Sequence, residues 1–122
     1  MPFKYLKTMI KSTDLRQGNF VKTFTKGKKK LVKLSAQDIA DIDQKKLEVF
    51  PIPLVREWLE RFQFTTQENV FIHFKSSGYH LQQMKDGFYF IKRDNRLNEF
   101  PMLYVHQLQN AFYWMVGEDL TF

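Results

Sequence analysis

Cysteine is missing altogether, which removes disulfide staples, thiolate metal sites and thiol catalysis from consideration. That absence suits a reducing compartment, and we expect a cytoplasmic protein. No apolar run reaches the roughly 18 residues that a membrane-spanning helix needs. The opening segment is broken by Lys4, Lys7 and Lys11, so it has no secretory signal core and no membrane association is expected. Catalytic signatures are missing too: the chain has no Gly-x-Ser-x-Gly elbow and no His-Glu-x-x-His. Gly27-Lys28 lacks both the upstream glycine and the Ser or Thr of a phosphate loop. The only imidazoles are His73, His80 and His106. His73 and His80 would lie diagonally across one hairpin, with no acid nearby to complete a metal site. Glu118-Asp119 follows a helix end, where solvation or a contact with basic residues accounts for it better than acid–base chemistry. We therefore expect no enzyme, no cofactor and no metal; a small hydrolase would need a catalytic group that the sequence does not offer.

Acidic residues are nearly absent from the first part of the chain. Residues 1–33 carry nine Lys and Arg16 against Asp14 alone, a local charge of +9, while the remainder sums to −3 within the overall +6. A localised basic face is the footprint of a nucleic-acid or ribonucleoprotein partner, because phosphate contacts release counterions. The plainer reading is a solvated lysine surface that maintains solubility. Lys22, Lys26, Lys28, Lys29, Lys30 and Lys33 are the candidate contacts. Four of them flank Gly27 and must project into solvent unless something anionic meets them.

What is present is enough for one core: 122 residues, 43% hydrophobic, with thirteen Phe. A single domain, 1–122, is expected, as a monomer or weak dimer. Phe3, Leu6, Met9 and Ile10 oppose Lys4, Lys7 and Lys11 in an amphipathic opening turn. Ser12 to Asn19 is turn chemistry. Phe20–Thr25 and Lys29–Leu34 flank Lys26-Gly-Lys28 as a hairpin that resembles the start of a small barrel. Asp38 to Val49 has no clean period and reads as a strand or short turn plus connector. Pro53 presets the first turn of a helix over 53–62, with Leu54, Trp58, Leu59 and Phe62 inward and Arg56/Glu60 and Glu57/Arg61 paired outward.

Val70–Lys75, Tyr79–Met84 and Phe88–Arg93 form a β-meander with turns at Ser76-Ser-Gly78 and Lys85-Asp-Gly87. A final strand, Phe100–Tyr104, feeds a terminal helix over 105–116 that Gly117 stops. The fold class is α+β: a small antiparallel sheet or barrel-like hairpin plus a meander, covered by two short helices. On the terminal helix Val105, Leu108, Ala111, Phe112 and Met115 form the apolar stripe. His106, Gln107, Gln109 and Asn110 could bond backbone or base edges, or satisfy neighbouring strand ends. Trp114 lies opposite Leu108, as an exposed partner anchor or packed on a loop. His106, Gln107, Asn110 and Trp114 are the candidate contacts here.

Three blocks carry a resemblance. Leu15-Arg-Gln-Gly-Asn-Phe-Val21, Pro51-Ile-Pro-Leu-Val-Arg-Glu-Trp-Leu-Glu-Arg-Phe-Gln-Phe64 and Tyr104-Val-His-Gln-Leu-Gln-Asn-Ala-Phe-Tyr-Trp-Met-Val-Gly-Glu-Asp-Leu-Thr121 resemble, in the same order, those of a family of small uncharacterised proteins of Bacteroidetes phages, prophages and mobile elements. Gln63 stands where that family has Gly, Ala111 where it has a large apolar residue, and Trp114 where it has a small one. The resemblance brings no activity or cofactor. It implies a phage accessory protein in a bacterial host's cytoplasm, of the kind that interferes with host machinery. We expect a binding protein that antagonises a host nucleoprotein defence complex, as anti-CRISPR proteins do. Direct nucleic-acid binding is the alternative.

Overall fold

The computed structural model describes residues 10–73, 75 and 78–122. The amphipathic reading of residues 3–9 and the serines of the 76–78 turn lie outside them. The fold is α+β, in two compact units: one ending at Ile52, the other spanning Pro53–Phe122.

The first unit is built on a hairpin. Strand β1 (Phe20–Thr25) pairs antiparallel with β2 (Lys28–Lys33) in the register Phe20↔Lys33 to Thr25↔Lys28. Lys26 (φ 53°) and Gly27 (φ 76°) make the two-residue turn. Both adopt the left-handed conformation that matches the twist of the strands. At the hairpin's base the buried Asn19 accepts a hydrogen bond from the Arg16 amide at its side-chain oxygen (2.6 Å), and its carbonyl accepts from the Leu34 amide. Gly18 (φ 95°) supplies the bend, and its amide returns to the Leu34 carbonyl.

Helix α1 (Ala36–Asp43) corrects the expectation of a strand or turn over 38–49. Ser35 and Asp38 form a reciprocal cap: Ser35 Oγ accepts from the Asp38 amide, and Asp38 Oδ2 from the Ser35 amide. That Ser-x-x-Asp spacing is a helix-start signal strong enough to override a blurred apolar period. Val21, Leu34, Ile42 and Val49 form the core, flanked by Ile10, Leu15, Val32, Ile39 and Leu47.

In the second unit, helix α2 spans Arg56–Arg61 rather than 53–62. Pro53 forms an antiparallel bridge with Tyr104, and the Leu54 amide donates to the Leu103 carbonyl (2.9 Å). The segment's backbone groups are thus satisfied across chains of extended residues, and the helix begins only after the extended Val55. The inward stripe is as expected: Leu54, Trp58, Leu59 and Phe62 are all buried.

Gln63 (φ 73°) turns the chain directly into β3 (Phe64–Gln67), a strand that the sequence reading did not assign. The meander continues through β4 (Val70–His73), β5 (His80–Met84), β6 (Gly87–Lys92) and β7 (Asn95–Arg96), in the spatial order β3-β4-β5-β6-β7. Phe88 to Ile91 of β6 are buried on both faces, which makes it the spine of the sheet.

The expected strand Phe100–Tyr104 is reduced to two isolated bridges, Met102 to Phe88 and Tyr104 to Pro53. Asn98 does part of a strand's work: its oxygen accepts from the Phe90 amide and its nitrogen donates to the Phe88 and Phe100 carbonyls. Gly87 is there for closeness, since a Cβ would lie 2.7 Å from that of Pro101. Helix α3 (Val105–Val116) ends as predicted at Gly117, φ 81°. Its Phe112 packs edge-on against Phe64 and the buried His73.

Candidate nucleic-acid interface

Strand alternation sorts the hairpin's side chains into two faces. Val21, Thr23 and Val32 point to the core, and Val21 and Thr23 are buried. Lys28 and Lys30 share that face by register but lie nearer the turn and are exposed. The opposite, outer face carries Phe20, Lys22 and Phe24 from β1 and Leu31, Lys29 and Lys33 from β2. Phe50 joins it, because its backbone exchanges both hydrogen bonds with Lys22 (2.8 and 3.0 Å).

On this outer face rings and ammonium groups alternate. Lys33 Nζ lies 5.9 Å from the Phe20 centroid and Lys29 Nζ 5.8 Å from that of Phe24. Phe24 meets Phe50 perpendicularly at 5.4 Å. Phe24 is 53% exposed and Leu31 41%, so apolar surface is held open to water beside the charges. Residues 20–33 contain six Lys and no acid, a charge of +6 on fourteen residues. Such a concentration repels itself until counterions or an anionic partner meet it.

All six lysines identified from sequence therefore fall on one hairpin. Three of them, Lys22, Lys29 and Lys33, share the aromatic face; Lys28 and Lys30 are on the other, and Lys26 is in the turn. The sequence reading missed Phe20, Phe24 and Phe50 as members of the surface. The alternation Phe-Val-Lys-Thr-Phe over 20–24 contained that signal.

The candidate contacts of the terminal helix separate. His106 is buried and its ring is parallel to that of Tyr104 at 6.0 Å. Gln107 caps the helix, its side-chain oxygen accepting from the Leu103 (2.8 Å) and Tyr104 (3.1 Å) amides. Gln109 is buried and Asn110 half-buried. Trp114 alone stands out, 88% exposed at the rim of a groove of about 320 Å³ lined also by Phe90, Leu97, Asn98, Ala111 and Met115. The small Ala111 leaves room in that groove.

His73 is packed between Phe64 (5.0 Å) and Phe112 (4.8 Å), with Nδ1 accepting from the Lys75 amide (3.1 Å). Burial, helped by the charge of Lys75, pushes its pKa below the usual 6.5, while a hydrogen bond to the Phe62 backbone works the other way. Glu118 lies 3.8 Å from Lys75 Nζ at the surface. Among the described residues no three His, Asp or Glu side chains gather as metal ligands. None of their helices is long and apolar enough to cross a membrane. No family model, curated protein or solved structure matches the chain.

Proposed function

We propose that the protein is a binding module that engages nucleic acid through the outer face of the β1–β2 hairpin, acting by occupancy rather than catalysis. The observation that carries this reading is the alternation of Lys22, Lys29 and Lys33 with Phe20, Phe24 and Phe50 on one sheet face, where Phe24, Lys29 and Lys33 are exposed and the other three half-buried. Ammonium groups neutralise phosphates and ring faces accept bases. Lysines along an unpaired strand edge can also keep other strands from adding to it. That accounts for charges on β2 but not for Lys22 or for a half-exposed Phe24 on β1. A bacterial cytoplasm, where nucleic acid is accessible, is the setting in this reading.

The test is fluorescence anisotropy of a labelled oligonucleotide at about 50 and 200 mM salt. Wild-type binding should weaken steeply with salt. Replacing Lys22, Lys29 and Lys33 together by Gln should lower the log–log slope by about 2, at roughly 0.7 per phosphate contact on a single strand. Replacing Lys28 and Lys30, on the other face, should change it by less than about 1. No binding up to about 100 μM at the lower salt, within the usual range of non-specific association, would refute the reading.

Trp114 and its groove favour a second reading, in which the chain antagonises a host nucleoprotein complex and meets the protein part of it with the second unit. An exposed indole beside an uncharged groove is the chemistry of a protein-interface anchor. Nuclease-resistant capture of one host protein, lost in Trp114→Ala and retained in the lysine variant, would support that reading over direct nucleic-acid binding.

A further inference from the structure

We propose that the ligand of the outer hairpin face is a single strand, DNA or RNA, a base of which stacks on Phe24 while Lys22, Lys29 and Lys33 hold its phosphates, without readout of sequence. This rests on the nucleic-acid reading above and specifies what kind of nucleic acid fits.

Phe24 holds ring surface open to solvent. A perpendicular pair at 5.4 Å uses at most one face of either Phe24 or Phe50, and Phe24 is 53% exposed. An exposed ring is of use only to a base whose own face is open. In a duplex those faces are covered by neighbouring base pairs, whereas a single strand can splay its bases onto an aromatic platform.

The forked readers of base edges are missing from this face. A two-stranded ribbon is narrow enough to enter a major groove, but the Arg, Asn and Gln side chains that grip a base edge at two points there are absent, which leaves Lys as the hydrogen-bonding side chain. The outer face of the hairpin carries Phe, Lys and Leu only. Its chemistry is phosphate attraction plus stacking, and both are indifferent to sequence.

Ammonium groups flank the rings. Each ring faces its own ammonium across the ladder: Lys33 opposite Phe20 and Lys29 opposite Phe24. Lys22 lies between the two rings on β1. Charge thus lies beside Phe24 on both strands, Lys22 on β1 and Lys29 and Lys33 on β2.

The experiment uses the full chain with labelled oligothymidylate, oligouridylate and a mixed-sequence duplex, each about 15 nucleotides or base pairs long, within the range of known single-strand sites. Thermal melts accompany each variant. Single strands should bind at least about tenfold more tightly than the duplex at equal salt, and the thymidylate and uridylate arms show whether DNA or RNA is preferred. Phe24→Leu keeps aliphatic packing against Phe50 but removes the π-face. It should cost about tenfold on single strands, leaving duplex binding and the salt slope unchanged. Phe24→Trp, which enlarges the platform, should bind single strands as tightly as wild type or more so. Duplex bound as tightly as single strand, wild-type affinity in Phe24→Leu, or weakened binding in a folded Phe24→Trp would overturn the stacking proposal while leaving the basic face standing. Failure of all three oligonucleotides to bind would instead remove the nucleic-acid reading beneath it.

Discussion

Truncating the two tryptophans in turn separates a structural indole from an exposed one. Trp58 is 8% exposed and rests against Phe62 (5.7 Å) and Phe122 (5.8 Å), with the Arg61 guanidinium 5.0 Å from its ring. Burying some nine-tenths of an indole of up to about 250 Å² is worth roughly 5 kcal/mol at about 25 cal/mol per Å². The retained methyl and partial collapse of the cavity bring Trp58→Ala to a cost of about 3–5 kcal/mol. That is comparable to the whole stability of a small domain, so the second unit should be largely unfolded. Trp114, 88% exposed, hides only about an eighth of its surface, and Trp114→Ala should cost less than about 1 kcal/mol. The chain has only two Trp, so fluorescence reads each directly. Trp114→Phe should leave a blue-shifted, quencher-protected emission from Trp58. Trp58→Phe should leave a red-shifted emission from Trp114 that iodide quenches. A melt lowered by Trp114→Ala as much as by Trp58→Ala, or a protected Trp114, would refute the assignment.

Gln63 sits at φ 73° and donates from Nε2 to the Thr121 carbonyl (3.2 Å). Gln63→Gly relieves about 1 kcal/mol of backbone strain but loses an exposed hydrogen bond of about 0.5–1 kcal/mol. It should therefore melt close to wild type, and Gln63→Ala, which loses the bond and keeps the strain, about 1 kcal/mol lower; equal melts for Ala and Gly would show that strain plays no part. His73 has a folded-state pKa below its unfolded 6.5, so its stabilising contribution is present above pH 6.5 and is lost as the pH falls below it. The difference in midpoint between wild type and His73→Phe should shift in favour of the variant from pH 7 to about pH 5; a pH-independent difference would show that folding does not lower the His73 pKa. Phe122 stacks on Phe62 (5.2 Å) under the Arg61 guanidinium (4.9 Å), so Phe122→Ala should lower the stability of the second unit by about 1–2 kcal/mol in denaturant titration, and no change would mean the tail does not hold α2.

The elements legible in the sequence were those whose signals are local. The β1–β2 hairpin, the meander, the terminal helix with its Gly117 stop and the buried stripe of α2 all follow from period and turn chemistry. Helix α1 was lost because Ile39, Ile42 and Leu47 give a poor period, although the Ser35/Asp38 cap marked its start. The beginning of α2 was misplaced because Pro53 suits a helix's first turn equally well as the bridge to Tyr104 that it forms, and that bridge joins residues 51 apart. Only Phe62 and Gln63 separate strand β3 from α2, with no turn signal stronger than a Gln at positive φ. The site was half legible. The lysines stood out by composition, but reading Lys28, Lys29 and Lys30 as one run obscured the fact that strand alternation sends Lys29 to the opposite face.

Three segments, 15–21, 51–64 and 104–121, are joints of the fold. Gly18 and Asn19 close the hairpin's base, and Pro53 and Leu54 are tied to Leu103 and Tyr104. Gln107 caps α3, and Gly117 ends it. Each is held by backbone geometry or a hydrogen bond to the backbone, which restricts the residue types that fit. Residues at such joints serve the architecture and say little of what is bound. The residues proposed to meet nucleic acid have the opposite character. Lys22, Phe24, Lys29 and Lys33 lie beyond those segments, and at each of them the fold would accept many side chains. A half-exposed Phe24 lies next to Lys29 although a polar residue would satisfy the hairpin equally well. The fold therefore leaves the outer face to be explained by what it touches.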